Sequence, residues 1–296
     1  MQKKKKTQKK PEPPKVVVDH DLAKVEEQHN VIFKPNAGPQ TDFLAAGERE
    51  VLYGGSAGGG KSYAMLADPL RFMGHPSFSG LLLRHTTEEL RELIFKSQEM
   101  YPKIWPGIKW SERKMQWTAP SGARLWMSYL DKEDDVLRYQ GLAFSWIGFD
   151  ELTQWPTPFA WNYMRSRLRS TAHDLPVYMR ATTNPGGRGH HWVKKMFIDP
   201  AAHNKSFDAT DIETTEVLRY PAGHEKAGKA LFKRKFIPAR LADNPYLAEQ
   251  GDYEAMLLSL PEQQRRQLLD GDWDIKEGAA FTEFDRNIHV VKPFDI

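Results

Sequence analysis

The chain has 296 residues, no cysteine and a formal net charge of +3, and 40% of its residues are hydrophobic. This length accommodates one large domain or two small ones, and the absence of cysteine excludes disulfides and thiolate zinc sites. A cysteine-free chain fits a reducing cytosol. No apolar run approaches the ~20 residues of a membrane span, so we expect no membrane partner.

The positive charge is concentrated at the N-terminus. Residues 1–15 carry seven lysines and one glutamate, a net charge of +6, so the remaining residues sum to −3. This polar, proline-containing composition predicts a disordered basic tail over residues 1–15. Two roles fit the tail: an electrostatic arm for DNA, or a solubilising segment. The body of the chain would need local basic patches to bind nucleic acid.

A glycine-rich stretch follows an apolar segment, Val51–Tyr53, that predicts a short buried strand. The stretch matches G-x-x-x-x-G-K-[ST], the phosphate-binding P-loop, and a helix is predicted from Tyr63. The matching residues are Gly55, Ser56, Ala57, Gly58, Gly59, Gly60, Lys61 and Ser62. Backbone N–H groups supply donors to a phosphate without bulk, and the helix dipole favours the anion. A flexible glycine loop with a chance Lys-Ser would also match, but the flanking strand and helix favour a nucleotide site.

The P-loop residue types predict ATP and Mg²⁺ as cofactors. Lys61 is expected to reach the β- and γ-phosphates, and the Ser62 hydroxyl is expected to bind Mg²⁺. Gln40 lies just before the P-loop strand. Its carboxamide offers a donor and an acceptor to the N6/N7 edge of adenine, although any surface glutamine offers the same groups.

An apolar segment, Phe144–Phe149, predicts a strand that ends in Asp150 and Glu151. In P-loop enzymes the first acid holds the Mg²⁺ shell, and we interpret the second as the group that polarises the attacking water. The alternative is a strand that ends in surface acids by chance. We predict a mainly parallel α/β sheet flanked by helices, with the P-loop strand directly beside the strand that ends at Asp150.

A further strand is predicted over Leu175–Ala181, and it ends in Thr182, Thr183 and Asn184. These polar groups lie at a carboxyl strand end, where α/β sheets bind ligands, so we interpret them as γ-phosphate sensors beside the P-loop strand. From residue 205 the β–loop–helix pattern gives way to a mixed one. We therefore predict an ATPase core over 16–204, a small lid or linker subdomain over 205–275, and a linker over 276–296.

Several motifs, in this order, resemble the ATPase domain of the large terminase subunit of tailed bacteriophages. They are PQTDF, LYGGSAGGGKS, RYQG before the strand that ends in DEL, TTNPGG, FIPARLADNPYL and GDWD. The resemblance covers about residues 35–290. It implies a P-loop NTPase of the additional-glutamate (ASCE) type with a small C-terminal lid or linker subdomain.

The resemblance also implies a function and partners. The expected activity is an ATP-hydrolysing motor that moves double-stranded DNA through the portal into a procapsid, in the host cytoplasm. The expected partners are double-stranded DNA, the portal protein and procapsid, the small terminase subunit, and further copies of the chain in a ring, a pentamer by resemblance. The implied roles are adenine recognition by Gln40, phosphate binding by Gly55–Ser62, metal binding by Asp150, water activation by Glu151, and coupling by Thr182, Thr183 and Asn184.

Members of this family need an arginine finger. Arg138, in the polar segment before the Asp150 strand, is the first candidate to act on a neighbour's nucleotide, and Arg84, at a strand end, is the second. Either is also compatible with an ordinary structural arginine. Full-length large terminases carry a C-terminal nuclease domain, and residues 276–296 look like the approach to it. We therefore expect no DNA cleavage by this chain and assign no nuclease role to Asp285.

Three other functions fit a P-loop. One is a different nucleic-acid translocase or helicase-like ATPase. Another is a small-molecule kinase, against which Glu151 argues because an acid directly after Asp150 suits activation of water. The last is a non-catalytic nucleotide-binding module, against which the set of Lys61, Ser62, Asp150 and Glu151 argues.

Overall fold

The computed structural model of the chain describes residues 33–275. The basic tail 1–15, the rest of the segment up to residue 32, and the linker 276–296 with Asp285 lie outside the described residues. Between residues 33 and 275, no helix combines the length and apolar character that crossing a membrane requires.

The described residues form one nine-stranded sheet in the order β3-β4-β5-β2-β6-β7-β1-β9-β8. The strands are β1 Glu50–Gly55, β2 Ser79–Arg84, β3 Lys109–Ser111, β4 Gln116–Thr118, β5 Arg124–Tyr129, β6 Trp146–Asp150, β7 Tyr178–Thr183, β8 Ser206–Asp208 and β9 Lys233–Ala239. The central strands, from β5 to β9 in the sheet, pair in parallel. Only the edges are antiparallel: β3 with β4, β4 with β5, and β8 with β9. The predicted mainly parallel α/β fold is confirmed.

The helices flank this sheet on both faces. The α-helices are α1 Pro39–Ala45, α2 Lys61–Ala67, α3 Thr87–Ile104, α4 Phe159–Arg165, α5 His190–Val193, α6 Pro245–Ala248, α7 Asp252–Leu258 and α8 Glu262–Arg265. Segments of 3₁₀-helix include Glu133–Tyr139 and Leu152–Gln154, and short π-helical turns span Lys194–Ile198 and Arg266–Asp270. The helix α3 begins with a capping box in which the Thr86 hydroxyl accepts from the Glu89 amide.

Strands β1, β2, β6 and β7 are buried along all or most of their length because both of their faces are covered. On β2, Leu82 packs with the cluster that includes α2 and α3, whereas Leu81 and Leu83 pack with the opposite cluster, which includes α4 and α5. Side chains alternate across a strand, so one run supplies two hydrophobic layers. The sheet is therefore the rigid middle layer on which the strand ends are held.

One predicted neighbour relation is wrong. The P-loop strand β1 pairs with β7 and β9, and β7 separates it from β6, the strand that ends at Asp150. The sequence did not distinguish these orders because β1, β6 and β7 are all fully buried runs. The predicted position of the Thr182–Asn184 strand beside the P-loop strand is confirmed by the same pairing.

The predicted boundary between residues 204 and 205 does not separate the sheet from a subdomain. Strand β9 comes from the later segment, yet it pairs in parallel with β1 over Glu50–Gly55 and so belongs to the core sheet. Its residues alternate between exposed and buried at first and are buried near Ala239, where they meet the P-loop. A lid or linker role for the helices after Ala239 stays a prediction.

Candidate nucleotide-binding site

The carboxyl ends of the central parallel strands meet at one edge of the sheet. Strand β1 ends at Gly55, β2 at Arg84, β6 at Asp150 and β7 at Thr183. Open α/β sheets bind ligands at this edge, because the loops there leave a crevice. The P-loop, the acid pair and the predicted sensor residues therefore belong to one site.

The P-loop backbone depends on glycine at particular positions. Gly55, Gly58 and Gly60 have φ values of 140°, 79° and 78°, which side chains other than glycine rarely adopt. A Cβ at Gly55 would also collide with the backbone of Ala239 on β9. The loop then leads into α2 at Lys61, so the first N–H groups of the helix lie beside the loop. Backbone N–H groups in such an arrangement are the kind that binds phosphate in P-loop proteins.

Lys61 lies buried between the P-loop and the sensor residues. Its Nζ donates to the carbonyl of Ser56 at 2.6 Å and to Oδ1 of Asn184 at 2.7 Å. Burial lowers the pKa of Lys61, and the nearby charges of Glu151 and Asp150 oppose that shift. The ammonium group therefore lies at the centre of the site, between the two loops that the sequence predicts to contact a nucleotide.

Asp150 is 1% exposed, and both of its carboxylate oxygens have partners. Oδ1 accepts from the Thr182 hydroxyl, and Oδ2 accepts from the Arg84 guanidinium. Ser62 is partly buried in the first turn of α2. A carboxylate and a hydroxyl are the hard oxygen donors that Mg²⁺ prefers, so the chemistry of these two residues fits the ion.

Glu151 adopts an unusual backbone conformation directly after β6. Its φ and ψ are 59° and 57°, in the left-handed region, which is uncommon for a residue other than glycine and is enriched at functional sites. Its Oε2 accepts from the amide of Asn184 at 3.2 Å and faces the Thr183 hydroxyl at 3.5 Å. Burial raises the pKa of Glu151, the charge of Asp150 adds to the shift, and Lys61 and Arg84 oppose it.

The structure thus brings the predicted sensor residues against the predicted catalytic ones. Thr182 contacts Asp150, Thr183 faces Glu151, and Asn184 contacts both Glu151 and Lys61. Asn184 uses its backbone amide for one contact and its side chain for the other. Asn184 is therefore a direct structural link between Lys61 and Glu151.

The two candidate arginines have different surroundings. Arg84 contacts Asp150 inside the site. Arg138 donates instead to the carbonyl of Tyr129, and its guanidinium lies 5.6 Å from the ring centroids of both Tyr129 and Tyr139. Among the described residues, Arg138 makes no hydrogen bond or ion pair with Asp150 or Glu151. Its side chain remains 44% exposed, so a role toward a second subunit stays a prediction.

Gln40 lies against the P-loop. Its Nε2 donates to the carbonyl of Gly60 at 2.8 Å, and its Oε1 accepts from the amide of Asn36 at 2.6 Å. The side chain is 4% exposed, so it is not the ordinary surface glutamine that was the alternative. A carboxamide has two donors and two acceptor lone pairs, so one of each remains for another partner.

Sequence reasoning missed residues that hold these loops in place. Thr153 is buried, its hydroxyl lies 2.7 Å from that of Thr183, and its carbonyl accepts from the Gly189 amide at 2.7 Å. Asn244 donates from Nδ2 to the carbonyl of Gly58 at 2.7 Å. The position of Thr153 after the acid pair and the Asn-Pro dipeptide at 244 were the available signals. Their contacts appear only once distant segments meet.

The C-terminal segment also contacts the P-loop backbone. The Ser56 amide donates to the carbonyl of Ala239 at 2.8 Å, and the Ala57 amide donates to the carbonyl of Leu268 at 2.6 Å. Leu268 belongs to the π-helical turn Arg266–Asp270, which ends at Gly271. The segment that contains the FIPARLADNPYL and GDWD motifs therefore packs against the P-loop and binds its backbone.

Residues 52–288 match the family model "Terminase large subunit, T4likevirus-type, N-terminal". This chain belongs to that terminase large subunit family. The matched residues include Lys61, Asp150, Glu151 and Asn184, which the structure brings together. No curated protein sequence matches the chain.

Two solved large terminases have a similar fold. The large terminase of a thermophilic bacteriophage, solved with ATP-gamma-S, is 17% identical with a TM-score of 0.57, and the match covers 88% of this chain and 59% of that one. The large terminase ATPase domain of Thermus phage P74-26 is 13% identical with a TM-score of 0.52, over 81% of this chain and 94% of that one. At these identities the likeness establishes the fold, which is that of terminase ATPase domains. The chain spans about three fifths of the first terminase's length.

Proposed function

We propose that this chain hydrolyses ATP to move double-stranded viral DNA into a procapsid, as the ATPase part of a terminase large subunit. The observation that supports this proposal most directly is the contact of Asn184 with both Lys61 and Glu151. These residues lie in the part of the chain that matches the terminase family. In this proposal, a single residue that contacts both the phosphate-binding cation and the water-activating acid couples nucleotide binding to hydrolysis.

Each residue has a distinct part in this proposal. The amides of Gly55–Ser62 and the ammonium of Lys61 bind the phosphates, and Asp150 with Ser62 would hold Mg²⁺. When bound, Mg²⁺ neutralises charge on the phosphate oxygens. The carboxylate of Glu151 orients a water molecule and accepts its proton. Gln40 contacts adenine through the donor and acceptor that Gly60 and Asn36 leave available.

The sensor residues Thr182, Thr183 and Asn184 relay the state of the nucleotide. Lys61 must turn its ammonium toward the phosphates when they are present, which weakens its bond to Asn184. Asn184 also donates to Glu151, so the same change alters how Glu151 is held. This relay would link hydrolysis to movement of the loop after β7.

The partners that this function requires follow the same proposal. They are double-stranded DNA as the cargo, the portal and procapsid as the dock, the small terminase subunit, and further copies of the chain in a ring, which we propose to be a pentamer. Assembly on the procapsid places the protein in the host cytoplasm.

ATP turnover with and without double-stranded DNA tests the function. We expect slow hydrolysis that DNA and the procapsid stimulate, and loss of hydrolysis with retained nucleotide binding in Glu151→Gln, whose carboxamide cannot accept a proton. Phosphate transfer to a small acceptor would favour a kinase, and stimulation by single strands would favour a helicase-like enzyme. Hydrolysis by Glu151→Gln at the wild-type rate would contradict the assigned role of Glu151.

The candidate arginine finger needs a test across subunits. A finger supplied by a neighbour raises the rate by about 10³–10⁵. Rings that mix Arg138→Ala and Glu151→Gln subunits should regain activity, because the second subunit supplies Arg138 to the intact acid of the first. Mixed rings that remain as inactive as either parent would exclude Arg138 as a finger acting across the interface.

A further inference from the structure

The Arg84 side chain lies between two carboxylates. Its Nη1 contacts Oδ2 of Asp150, and its Nε lies 3.5 Å from Oε2 of Glu89 on the first turn of α3. The exposed fractions are 14% for Arg84, 1% for Asp150 and 31% for Glu89. One partner is therefore inside the nucleotide site, and the other is at its rim.

The Arg84 guanidinium contacts the carboxylate that a metal ion at this site would also contact. Asp150 has two carboxylate oxygens, and Thr182 already donates to Oδ1. A divalent cation bound to Asp150 would share this carboxylate with the guanidinium, and two cations on one carboxylate repel each other, so each would weaken the binding of the other. Arg84 and a divalent ion compete for the same carboxylate.

The Glu89 carboxylate is held in place beside the Arg84 guanidinium. Its Oε1 accepts from Nε2 of Gln154 at 2.7 Å, and its Oε2 accepts from the Thr86 amide at 3.4 Å. Gln154 lies three residues after Glu151, on the turn Leu152–Gln154. Both contacts hold the Glu89 carboxylate beside Arg84, where the Arg84 Nε already lies 3.5 Å from its Oε2.

We propose that Arg84 is a positioning residue that exchanges between Asp150 and Glu89, and that this exchange sets the affinity of the site for Mg²⁺. The inference rests on the proposed function, since it assumes that Asp150 binds the metal of a nucleotide complex. Arg84 lowers the affinity while it is on Asp150. Glu89 raises the affinity by drawing Arg84 away.

Arg84 and its partner Glu89 give variants with opposite expected effects on metal affinity. Electron paramagnetic resonance measures the Mn²⁺ affinity of the wild-type chain and of each variant, in the presence of a saturating non-hydrolysable ATP analogue. Arg84→Gln should bind Mn²⁺ about tenfold more tightly, because it removes the competitor. Glu89→Gln should bind it about fivefold more weakly, because Arg84 then stays on Asp150.

A double variant separates exchange from a general charge effect. In the Arg84→Gln background, Glu89→Gln should change Mn²⁺ affinity by less than about twofold, because Glu89 acts through Arg84. Glu92→Gln is the matched control: Glu92 lies on the same helix, pairs with Lys96 and is 68% exposed. It should leave Mn²⁺ affinity unchanged in both backgrounds.

Unchanged or weaker Mn²⁺ binding in Arg84→Gln would overturn the exchange, as would an equal effect of Glu89→Gln in both backgrounds. Reduced turnover with unchanged metal affinity would instead assign Arg84 to the phosphates. If Arg84→Gln does not fold, Glu89→Gln against Glu92→Gln carries the test, and equal Mn²⁺ affinities overturn the proposal. A wild-type chain that binds no nucleotide would contradict the proposed function itself, whereas normal binding with unshifted variants contradicts only the exchange.

Discussion

The two ends of the central strands both bury charged side chains, but they pair them differently. At the amino ends, Glu50 on β1 is held by Arg234 and Arg165, with Arg234 Nε at 2.7 Å. At the carboxyl ends, Arg84 contacts two different carboxylates, and Lys61 contacts two different loops. The ion pairs of Glu50 at the amino ends hold strands together. At the carboxyl ends each cation has two partners and can exchange one of them for a ligand.

A second buried cluster at the amino ends follows the same rule. Asp68, at the end of α2, is fully buried and accepts from Nε1 of Trp146 at 2.8 Å and from Arg71. Arg71 also donates to the Tyr178 hydroxyl at 3.3 Å. This cluster joins the helix after the P-loop to the first residues of β6 and β7. We therefore expect substitutions at the amino ends to change stability, and those at the carboxyl ends to change nucleotide chemistry.

The largest expected effect is at the carboxyl ends. Lys61→Ala should lower ATP turnover by at least about 10³-fold, because the phosphate charge loses its main side-chain partner. The melting temperature should change by less than about 4 °C, because Lys61 makes hydrogen bonds to two loops rather than a buried ion pair. Phosphate release and thermal unfolding measure the two quantities. A large loss of stability with retained turnover would reverse the comparison.

Glu50→Gln tests the amino ends. It leaves the buried Arg234 and the partly buried Arg165 without their carboxylate, which costs about 3–5 kcal/mol of unfolding free energy. Thermal and urea unfolding measure this cost, and ATP turnover well below the melting temperature should stay near the wild-type rate. A fall in turnover without a fall in stability would show that the pair serves the site.

The pH dependence of that stability provides a sharper test. Burial alone would raise the pKa of Glu50, but Arg165 and Arg234 hold it below its ordinary value of 4.5. A carboxyl with a lowered folded-state pKa stabilises the fold above its unfolded-state pKa, and the contribution is lost as the pH falls through the folded-state value. The stability difference between wild type and Glu50→Gln should therefore be constant near neutral pH and shrink below about pH 4.5. Unfolding curves from pH 7 to pH 3 check this.

Thr153→Val should have the smallest effect of these substitutions, and it should change both stability and turnover. It removes the hydroxyl contact with Thr183 and should cost about 1 kcal/mol of stability. It should also lower turnover by about threefold, because Thr183 then positions Glu151 less well. Thr157→Val, whose exposed hydroxyl contacts Glu133, is the matched control and should leave turnover unchanged. Equal turnover in both variants would limit Thr153 to a structural role.

Much of the site could be predicted because its signals are local. The P-loop at Gly55–Ser62, the acids Asp150 and Glu151, and the residues Thr182–Asn184 each follow a buried strand within a few residues. Parallel strands bring their carboxyl ends to one edge, so local patterns suffice to place these groups in one crevice. The mainly parallel sheet follows from the same alternation of strands and helices.

Other features depended on which distant segments pair. The order of β1, β7 and β6 was not predictable because all three strands are buried along their whole length. The pairing of β9 was not predictable either, because its partner β1 lies almost two hundred residues earlier in the chain. The meeting of Arg84 with Asp150, and of Asn244 with Gly58, likewise required the folded chain. Sequence by itself determined the chemical groups and their strand ends, and tertiary structure decided their partners, because pairing energy depends on neighbours that are remote along the chain.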